Sequence, residues 1–187
     1  TGGEGRFGNL RVLPYLGAPD DIPEGFERLE ETAAVGIYGV CLSPGNVRVE
    51  LTSTARCGVC RFYFPEGSEA NILIDASAVH QFHPLRTATC LNAEIQWISN
   101  SIFEGHGTFR GGWGHDYPYK IFFSGSLNTA PDRILVGDSD ALLEHDRAVG
   151  DRAMTVAHFR RTQSIEVRIG VSFVSVPKAR DSRDKEC

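Results

Sequence analysis

The chain has 187 residues, of which 41% are hydrophobic and 23% are charged, a balance typical of one folded domain and unlike that of a disordered chain. No apolar run approaches the roughly 20 residues that a membrane-spanning helix needs. The 19 lysines and arginines are scattered except near the C-terminus and are outnumbered by 24 acidic residues, so the net charge of -5 argues against nucleic acid and membrane as partners.

Short strands are predicted along most of the chain, because apolar and polar residues alternate with a period of two. The clearest alternation lies at 165–173. The other predicted strands, in chain order, are 10–16, 35–42, 47–51, 59–64, 71–75, 91–98, 119–123 and 154–159. Turn signals rich in glycine and proline separate them. This spacing predicts an all-β fold, an antiparallel β-sandwich that occupies residues 1–177 as a single domain.

Two segments have helical character. Residues 23–34 have a Glu-rich middle, and residues 178–186 are charged all round and close to the C-terminus. A wholly polar helix at a chain end usually lacks a packing partner. We therefore expect residues 178–187 to be the start of a linker helix that leads to a further domain.

Five cysteines allow at most two internal disulfides, and Cys187, the last residue, is the expected unpaired thiol. Cys57 and Cys60 have the spacing of half a zinc site, but a second pair at zinc-ribbon spacing is missing and the segment has a strand pattern. We expect them to be half-buried strand cysteines or to form one disulfide with Cys41 or Cys90.

Motifs for cofactor or metal chemistry are weak. Residues 3–8 match the letters of a dinucleotide-binding fingerprint, but a predicted strand follows where a helix N-terminus is needed, so a flexible terminus explains them. The histidines and the cluster at 144–146 are interpreted as solvated loop residues, because no group combines three ligands with an ordered second shell. The histidines concerned are His80, His83, His106 and His115.

Catalytic nucleophiles and paired acids are also not evident. No nucleophile elbow is found, and the acids needed for glycoside hydrolysis cannot be paired in space from the sequence. The candidate acids are Asp20 with Asp21, Asp138 with Asp140, and Asp75. Glu50 and Arg56 share one face of a predicted strand, and we favour a structural role for them in ion pairs.

The segment 109–117 is the best candidate for binding. It places Trp113 beside glycines, with His115 and Asp116 as hydrogen-bonding neighbours. Sugar rings stack on such aromatic faces while polar side chains bind the hydroxyl groups. The alternative interpretation is a tryptophan that plugs the end of the sandwich.

Several blocks in order resemble the N-terminal domain of glycoside hydrolase family 92, the exo-acting α-mannosidases. The resemblance covers residues 8–186. The blocks are Leu-Arg-Val-Leu-Pro at 10–14, Gly-Ile-Tyr-Gly-Val at 36–40, the strand and turn at 47–58 with 61–65, Trp113 with Asp116 and Pro118, and 167–175 followed by Ala179 and Glu186. Cys60 departs from the family's usual His, and Ser182-Arg183 from its usual Asn-Leu, which weakens the expected interdomain helix.

The resemblance implies a supersandwich-like domain packed on a helical barrel that carries the catalytic acids and the calcium ligands. It implies exo-hydrolysis of terminal α-mannosides with inversion by the whole enzyme, outside the cytoplasm, in a secreted or periplasmic protein. This chain is then expected to be inactive alone, to bind no calcium itself, and to contribute Trp113, His115 and Asp116 to the cleft for a mannose-containing glycan. The alternative is a carbohydrate-binding or structural module of an extracellular assembly without catalysis.

Overall fold

The computed structural model describes residues 9–79, 88–111, 116–138 and 140–187. Within these ranges the chain forms fourteen strands and one helix. They are β1 (Arg11–Leu16), β2 (Glu27–Ala34), β3 (Ile37–Ser43), β4 (Val47–Ser53), β5 (Cys57–Tyr63), β6 (Ala70–Asp75), β7 (Thr89–Ser99), β8 (Ile102–Arg110), β9 (Tyr119–Leu127), β10 (Arg133–Gly137), β11 (Leu142–Leu143), β12 (Arg147–Gly150), β13 (Met154–Phe159), β14 (Ser164–Ser172) and α1 (Val176–Glu186).

The strands form two sheets. The small sheet has the order β1-β6-β13-β10-β11, and the large sheet has the order β12-β7-β8-β9-β14-β5-β4-β3-β2. Every pairing between described strands is antiparallel. The predicted all-β antiparallel sandwich is therefore confirmed. The described helix is neither long nor apolar enough to cross a membrane.

The core lies between the two sheets, where alternate residues of each strand face the opposite sheet. The largest side chains in it are aromatic and come mainly from the large sheet: Phe62, Phe103 and Phe123 are all almost fully buried. A smaller apolar cluster covers the other face of the small sheet, where Tyr15 and Leu73 pack against Ile22 and Phe26. Burial of these side chains is the main source of stability.

Glycines make room for the aromatic core on β8 and β9. A Cβ on Gly105 would collide with the ring of Phe123, and a Cβ on Gly125 would collide with the ring of Phe103. Both rings are buried, and they lie 6.3 Å apart. The sequence did not predict β8, because its glycines interrupt the apolar alternation. Glycine is needed at these positions because aromatic rings of the neighbouring strand pack directly against the backbone there.

The helix predicted at 23–34 is wrong, because residues 27–34 form the edge strand β2. All eight of its residues are exposed, so its sequence shows no apolar alternation and its glutamates mimic a helical composition. A bulge between Leu29 and Thr32, with Glu30 at a φ of 50°, interrupts its pairing with β3. Charged residues and bulges are typical of edge strands, which they protect from pairing with other chains.

The predicted C-terminal helix is confirmed, but the expectation that it lacks a packing partner is wrong. α1 begins at Val176, and Ser175 caps its first turn by accepting a hydrogen bond from the Lys178 amide. The helix lies on the outer face of the large sheet and buries Ala179 and Arg183 there. Since Gly170 has no side chain, the helix backbone can approach β14 closely.

Candidate functional site

One end of the sandwich gathers four connections, among them the one that the sequence favoured for binding. The antiparallel register brings the turn at 35–36, the turn at 54–56, residues 111 and 116–118 at the two ends of the β8–β9 connection, and residues 173–174 to the same edge of the large sheet. We call these four segments the loop end. Loops held by a rigid sandwich are common positions for binding residues.

Of the predicted sugar-contacting residues, Asp116 is described and is exposed at the loop end. Trp113 and His115 lie outside the described residues. The flanks of their connection are well anchored, because Phe109 and Tyr119 are register partners at the ends of β8 and β9 with rings 5.8 Å apart. The sheet thereby places the start and the end of the 111–118 connection at the loop end.

A cavity of about 880 Å³ opens between the start of β7 and the ends of β1 and β6 that carry Arg11 and Asp75. Asp75 lines it, but Arg11 donates to one of its oxygens at 2.9 Å and Ser77 donates to the other through its hydroxyl at 2.6 Å and its amide at 3.0 Å. Cys90 also lines it, and burial raises the pKa of its thiol to about 11. A bonded carboxylate and a protonated thiol provide polar contacts, but no activated nucleophile.

Two buried glutamates on the outer face of the large sheet are paired with arginines. Glu104 accepts two hydrogen bonds from Arg180, both at 2.7 Å, and one from Ser124 at 2.8 Å. Glu166 accepts from Arg61 at 2.6 Å and from Arg168 at 2.8 Å. These are charge-assisted bonds, the strong class of side-chain hydrogen bond.

The pKa values of both glutamates are lowered. Burial alone would raise the pKa of Glu104, but the hydrogen bonds from Arg180 and Ser124 outweigh it. The hydrogen bond from Arg61 is the largest cause for Glu166; burial opposes it, and Arg168 adds to it. A glycosidase acid needs the opposite shift, because it must hold a proton at neutral pH. These glutamates are therefore ionised hydrogen-bond acceptors.

The candidate pair Asp138 and Asp140 lies at the edge of the small sheet and lines a recess together with Asp20. Arg152 forms ion pairs with both members of the pair. The backbone amides of Asp140 and Ala141 donate to Asp138 and lower its pKa. These contacts belong to a turn that Arg152 closes. They do not place an acid and a base on opposite sides of a cleft.

The histidines do not form a metal site within the described ranges. His106 packs its ring against Phe122, with centroids 5.9 Å apart, and burial is the main cause that lowers its pKa. Glu144, beside His145, is paired with Arg133 at 2.7 Å. No described group of three or more His, Cys, Asp or Glu side chains could hold a metal ion. His80, His83 and His115 lie outside the described residues.

The predicted cysteine pairing is wrong: Cys57 forms a disulfide with Cys187, the residue expected to stay unpaired. The chain folds α1 across the outer face of the large sheet and so brings the two Cα atoms to 6.3 Å, although 130 positions separate them in sequence. Cys57 lies on the outer face, whereas Cys60, three positions later on the same strand, faces the core. The two side chains therefore point away from each other and cannot form half a zinc site.

The residues that sequence reasoning missed include those that join α1 to the sheet. Arg183 donates to the Ser124 hydroxyl at 2.9 Å and to the Gly125 carbonyl oxygen at 3.4 Å. Ser182 and Arg183 depart from the family pattern, yet both are buried against the sheet. A signal was present, because Ala179, Ser182 and Arg183 follow the i, i+3, i+4 spacing of one helical face. The interaction predicted for Arg56 is confirmed, since it pairs with Glu186 at 2.7 Å.

Comparisons with known proteins agree with this architecture. The family model for the glycosyl hydrolase family 92 N-terminal domain matches residues 1–172. A family 92 α-mannosidase from Bacteroides thetaiotaomicron superposes with a TM-score of 0.81 and 22% identity over 96% of this chain and 26% of its own. The same enzyme in complex with mannoimidazole gives 0.80 and 22%, over 96% of this chain and 25% of its own.

An inverting family 92 mannosidase from Bacteroides thetaiotaomicron VPI-5482 superposes with a TM-score of 0.73 and 15% identity, over 95% of this chain and 23% of its own. This chain therefore spans about a quarter of the length of these solved structures. At these identities the superpositions establish a shared fold. No curated protein matches the chain. Because the family model covers most of the sequence, the chain belongs to the glycosyl hydrolase family 92 N-terminal domain family.

Proposed function

We propose that this chain is the non-catalytic N-terminal β-sandwich of an α-mannosidase that removes terminal α-mannosides with inversion. It supports a helical-barrel catalytic domain and forms one wall of the substrate cleft at the loop end. The observation that carries the proposal is the family match over residues 1–172 of a chain that spans only a quarter of similar mannosidases. Residues 1–177 then form the sandwich, and 178–187 lead toward the barrel.

The state of the buried acids supports a non-catalytic role. Inverting glycosidases need a protonated acid and a separate base, placed about 6.5–9.5 Å apart. The buried carboxylates Asp75, Glu104 and Glu166 are each bonded to arginine instead. Hydrogen bonds from the arginines lower the pKa values of Glu104 and Glu166, so these two carboxylates hold no proton for a leaving group at neutral pH.

Exposed apolar side chains at the loop end support a docked partner domain. Val35 at the tip of the β2–β3 turn is fully exposed, and Phe173 and Val174 are 65% and 74% exposed. Apolar groups that cluster at one place on a surface favour contact with another surface. Glu186, at the end of α1, binds Thr54 and Arg56 at the loop end, so a domain that follows α1 would lie near this patch.

A mannoside would contact the 111–118 connection. Trp113 would stack on the apolar face of the sugar ring, while His115 and Asp116 would bind hydroxyl groups. A structurally similar α-mannosidase binds mannoimidazole. Asp116 is exposed at the loop end, where such a contact requires it.

Calcium is proposed only from the resemblance to the family. The described residues of this domain offer no group of three or more metal-binding side chains. They do not fit a calcium site, so we propose that the calcium ion binds to the barrel domain.

We also propose that the protein works in an oxidising compartment outside the cytoplasm. The Cys57–Cys187 disulfide supports this placement, because cytosolic reductants keep most thiols reduced.

The catalytic part of the proposal is tested with 4-nitrophenyl α-mannoside in the presence of calcium. We expect no hydrolysis by this chain alone, and hydrolysis once the chain is joined to a family 92 catalytic domain. Turnover by the isolated chain would contradict the proposal, because the acids described above cannot supply it.

The cleft wall is tested on the joined protein by titration with mannoimidazole. Trp113→Ala should weaken binding roughly tenfold, which corresponds to about 1.4 kcal/mol, because the stacking surface is lost. Ile98→Ala is the matched control, since Ile98 is exposed at the opposite end of β7. Unchanged binding by Trp113→Ala would remove Trp113 from the cleft, and mannoside binding by the isolated chain would favour the carbohydrate-binding alternative.

A further inference from the structure

The C-terminal end of α1 is attached to the sheet by a dense group of bonds. Cys187 forms the disulfide with Cys57, and the Cys187 carbonyl oxygen accepts from Arg168 at 3.3 Å. Glu186 accepts from the Thr54 hydroxyl at 2.6 Å, from the Arg56 amide at 3.1 Å and from the Arg56 side chain at 2.7 Å. All these partners lie on β14, on β5 or in the turn at 54–56, so the end of the helix is held at the loop end.

α1 has little apolar burial of its own to hold it there. It has 11 residues, and its buried residues are Ala179, Ser182 and Arg183. Helices shorter than about 12–15 residues are marginal in water unless an apolar face packs against other elements. The position of α1 therefore depends on directional bonds.

The first of two attachments of α1 lies at Arg180 and Arg183, which are in the middle of the helix and at the start of its last turn. Arg180 binds Glu104, and Arg183 binds Ser124 and Gly125, all on β8 and β9. The disulfide is the covalent member of the second attachment, at the far end of the helix. Loss of this bond would leave the first attachment in place, so the residues after Arg183 can respond separately from the rest of α1.

We propose that the Cys57–Cys187 disulfide is a thiol-sensitive clamp that holds residues 184–187, at the end of α1, on the sheet, and that its reduction by a dithiol releases these residues while the rest of the sandwich stays folded. The clamp is a property of this chain and does not depend on mannosidase activity. Where the proposed function holds, the clamp sets the direction in which the chain leaves the sandwich toward the catalytic domain.

The chemistry is ordinary thiol–disulfide exchange. A thiolate of the dithiol attacks the sulfur of Cys187, which is half-exposed, whereas Cys57 is only 3% exposed. The Cys57 sulfur leaves as a thiolate and takes up a proton. The second thiol of the reductant then displaces Cys187, which also takes up a proton. Two electrons reduce the disulfide, and the reductant becomes a cyclic disulfide.

The test begins with peptide mapping of the chain under non-reducing conditions. We expect one linked peptide that contains Cys57 and Cys187, and unlinked peptides for Cys41, Cys60 and Cys90, which are free thiols in the structure. If Cys57 and Cys187 are not linked in the oxidised protein, the clamp is overturned.

Hydrogen exchange then measures which residues the disulfide protects from local opening. After reduction by dithiothreitol, or in Cys187→Ser, amides of residues 184–187 should exchange roughly tenfold faster or more, because a covalent tether no longer restricts local opening. Amides of β14 should stay protected at the same labelling times. Cys41→Ser is the matched control, because it removes a partly buried free thiol on the same face of the sheet and should leave α1 unchanged.

Unchanged exchange in α1 after reduction would overturn the clamp, since the polar contacts would then suffice. Simultaneous loss of protection in α1 and β14 would also overturn it, because the disulfide would then hold the whole fold. Neither measurement uses a mannoside, so failure of the clamp is distinguishable from failure of the proposed function.

Discussion

The two faces of the large sheet are stabilised by different kinds of interaction. The inner face packs aromatic and aliphatic side chains against the small sheet, with Phe103 and Phe123 almost fully buried. The outer face carries glutamates that bind arginines from neighbouring strands and from α1. Apolar burial is strong but has no preferred direction, whereas an arginine–carboxylate pair has a defined geometry. The inner face thus stabilises the fold, and the outer face positions the helix.

The largest expected effect concerns the inner face. Phe103→Ala should lower the free energy of unfolding by about 3–5 kcal/mol, because Phe103 fills the space above Gly125 and contacts Trp97, with ring centroids 5.4 Å apart. Urea denaturation measures the loss. Ile98→Ala, at an exposed position, serves as the control. A loss below about 1 kcal/mol for Phe103→Ala would show that the core is not as closely packed as described.

A smaller effect is expected on the outer face. Glu104→Gln keeps the shape of the side chain but removes the charge that binds Arg180, so unfolding should require about 1–3 kcal/mol less. The same urea titration measures this change. In hydrogen exchange, α1 should lose protection before the core strands do, since Arg180 belongs to the helix.

Glu144→Gln is the matched control for this change, because the Glu144 side chain is 65% exposed whereas that of Glu104 is 9% exposed. Exposed pairs contribute little, and we expect a change within about 0.5 kcal/mol. Equal losses of unfolding free energy from Glu104→Gln and Glu144→Gln would show that the buried ion pair contributes no more to stability than the surface ion pair.

The smallest expected effect is a dependence on pH. The pKa values of Glu104 and Glu166 lie below the ordinary value of 4.5 in the folded chain, so the unfolded chain binds more protons near that value. Their contribution is complete above pH 4.5 and is lost as the pH falls through the lowered pKa values. Urea titrations between about pH 7 and about pH 3 measure it. Glu104→Gln should flatten this dependence, and an unchanged slope would argue against the pairing with Arg180.

Residues with clear alternation were predictable because the strand period appears in the sequence itself. β13 was predicted with its observed bounds, and β14 was displaced by one residue. β2 and β8 were missed for opposite reasons. β2 is exposed on both faces and so shows no alternation, whereas β8 uses glycine where a neighbouring aromatic ring needs space.

The candidate site was predictable in part. The sequence motif around Asp116 predicted which connection binds a ligand, and the register of β8 with β9 places the two ends of that connection at the loop end. The roles of Trp113, His115 and Asp116 in sugar binding stay predictions. The covered pairs, Glu104 with Arg180 and Glu166 with Arg61, join residues 76 and 105 positions apart. A local sequence pattern contains no information about such contacts.

The sequence by itself determined the fold class, the family and the presence of a C-terminal helix, because alternation, turns and motif order are local properties of the chain. Only the tertiary structure decided which carboxylates are neutralised by arginines, where α1 packs, and that Cys187 pairs with Cys57. These features depend on which distant strands become neighbours and on which face each side chain points. The C-terminal helix is the clearest case: its polar sequence suggested that it lacks a packing partner, and the structure packs it on the outer face of the large sheet.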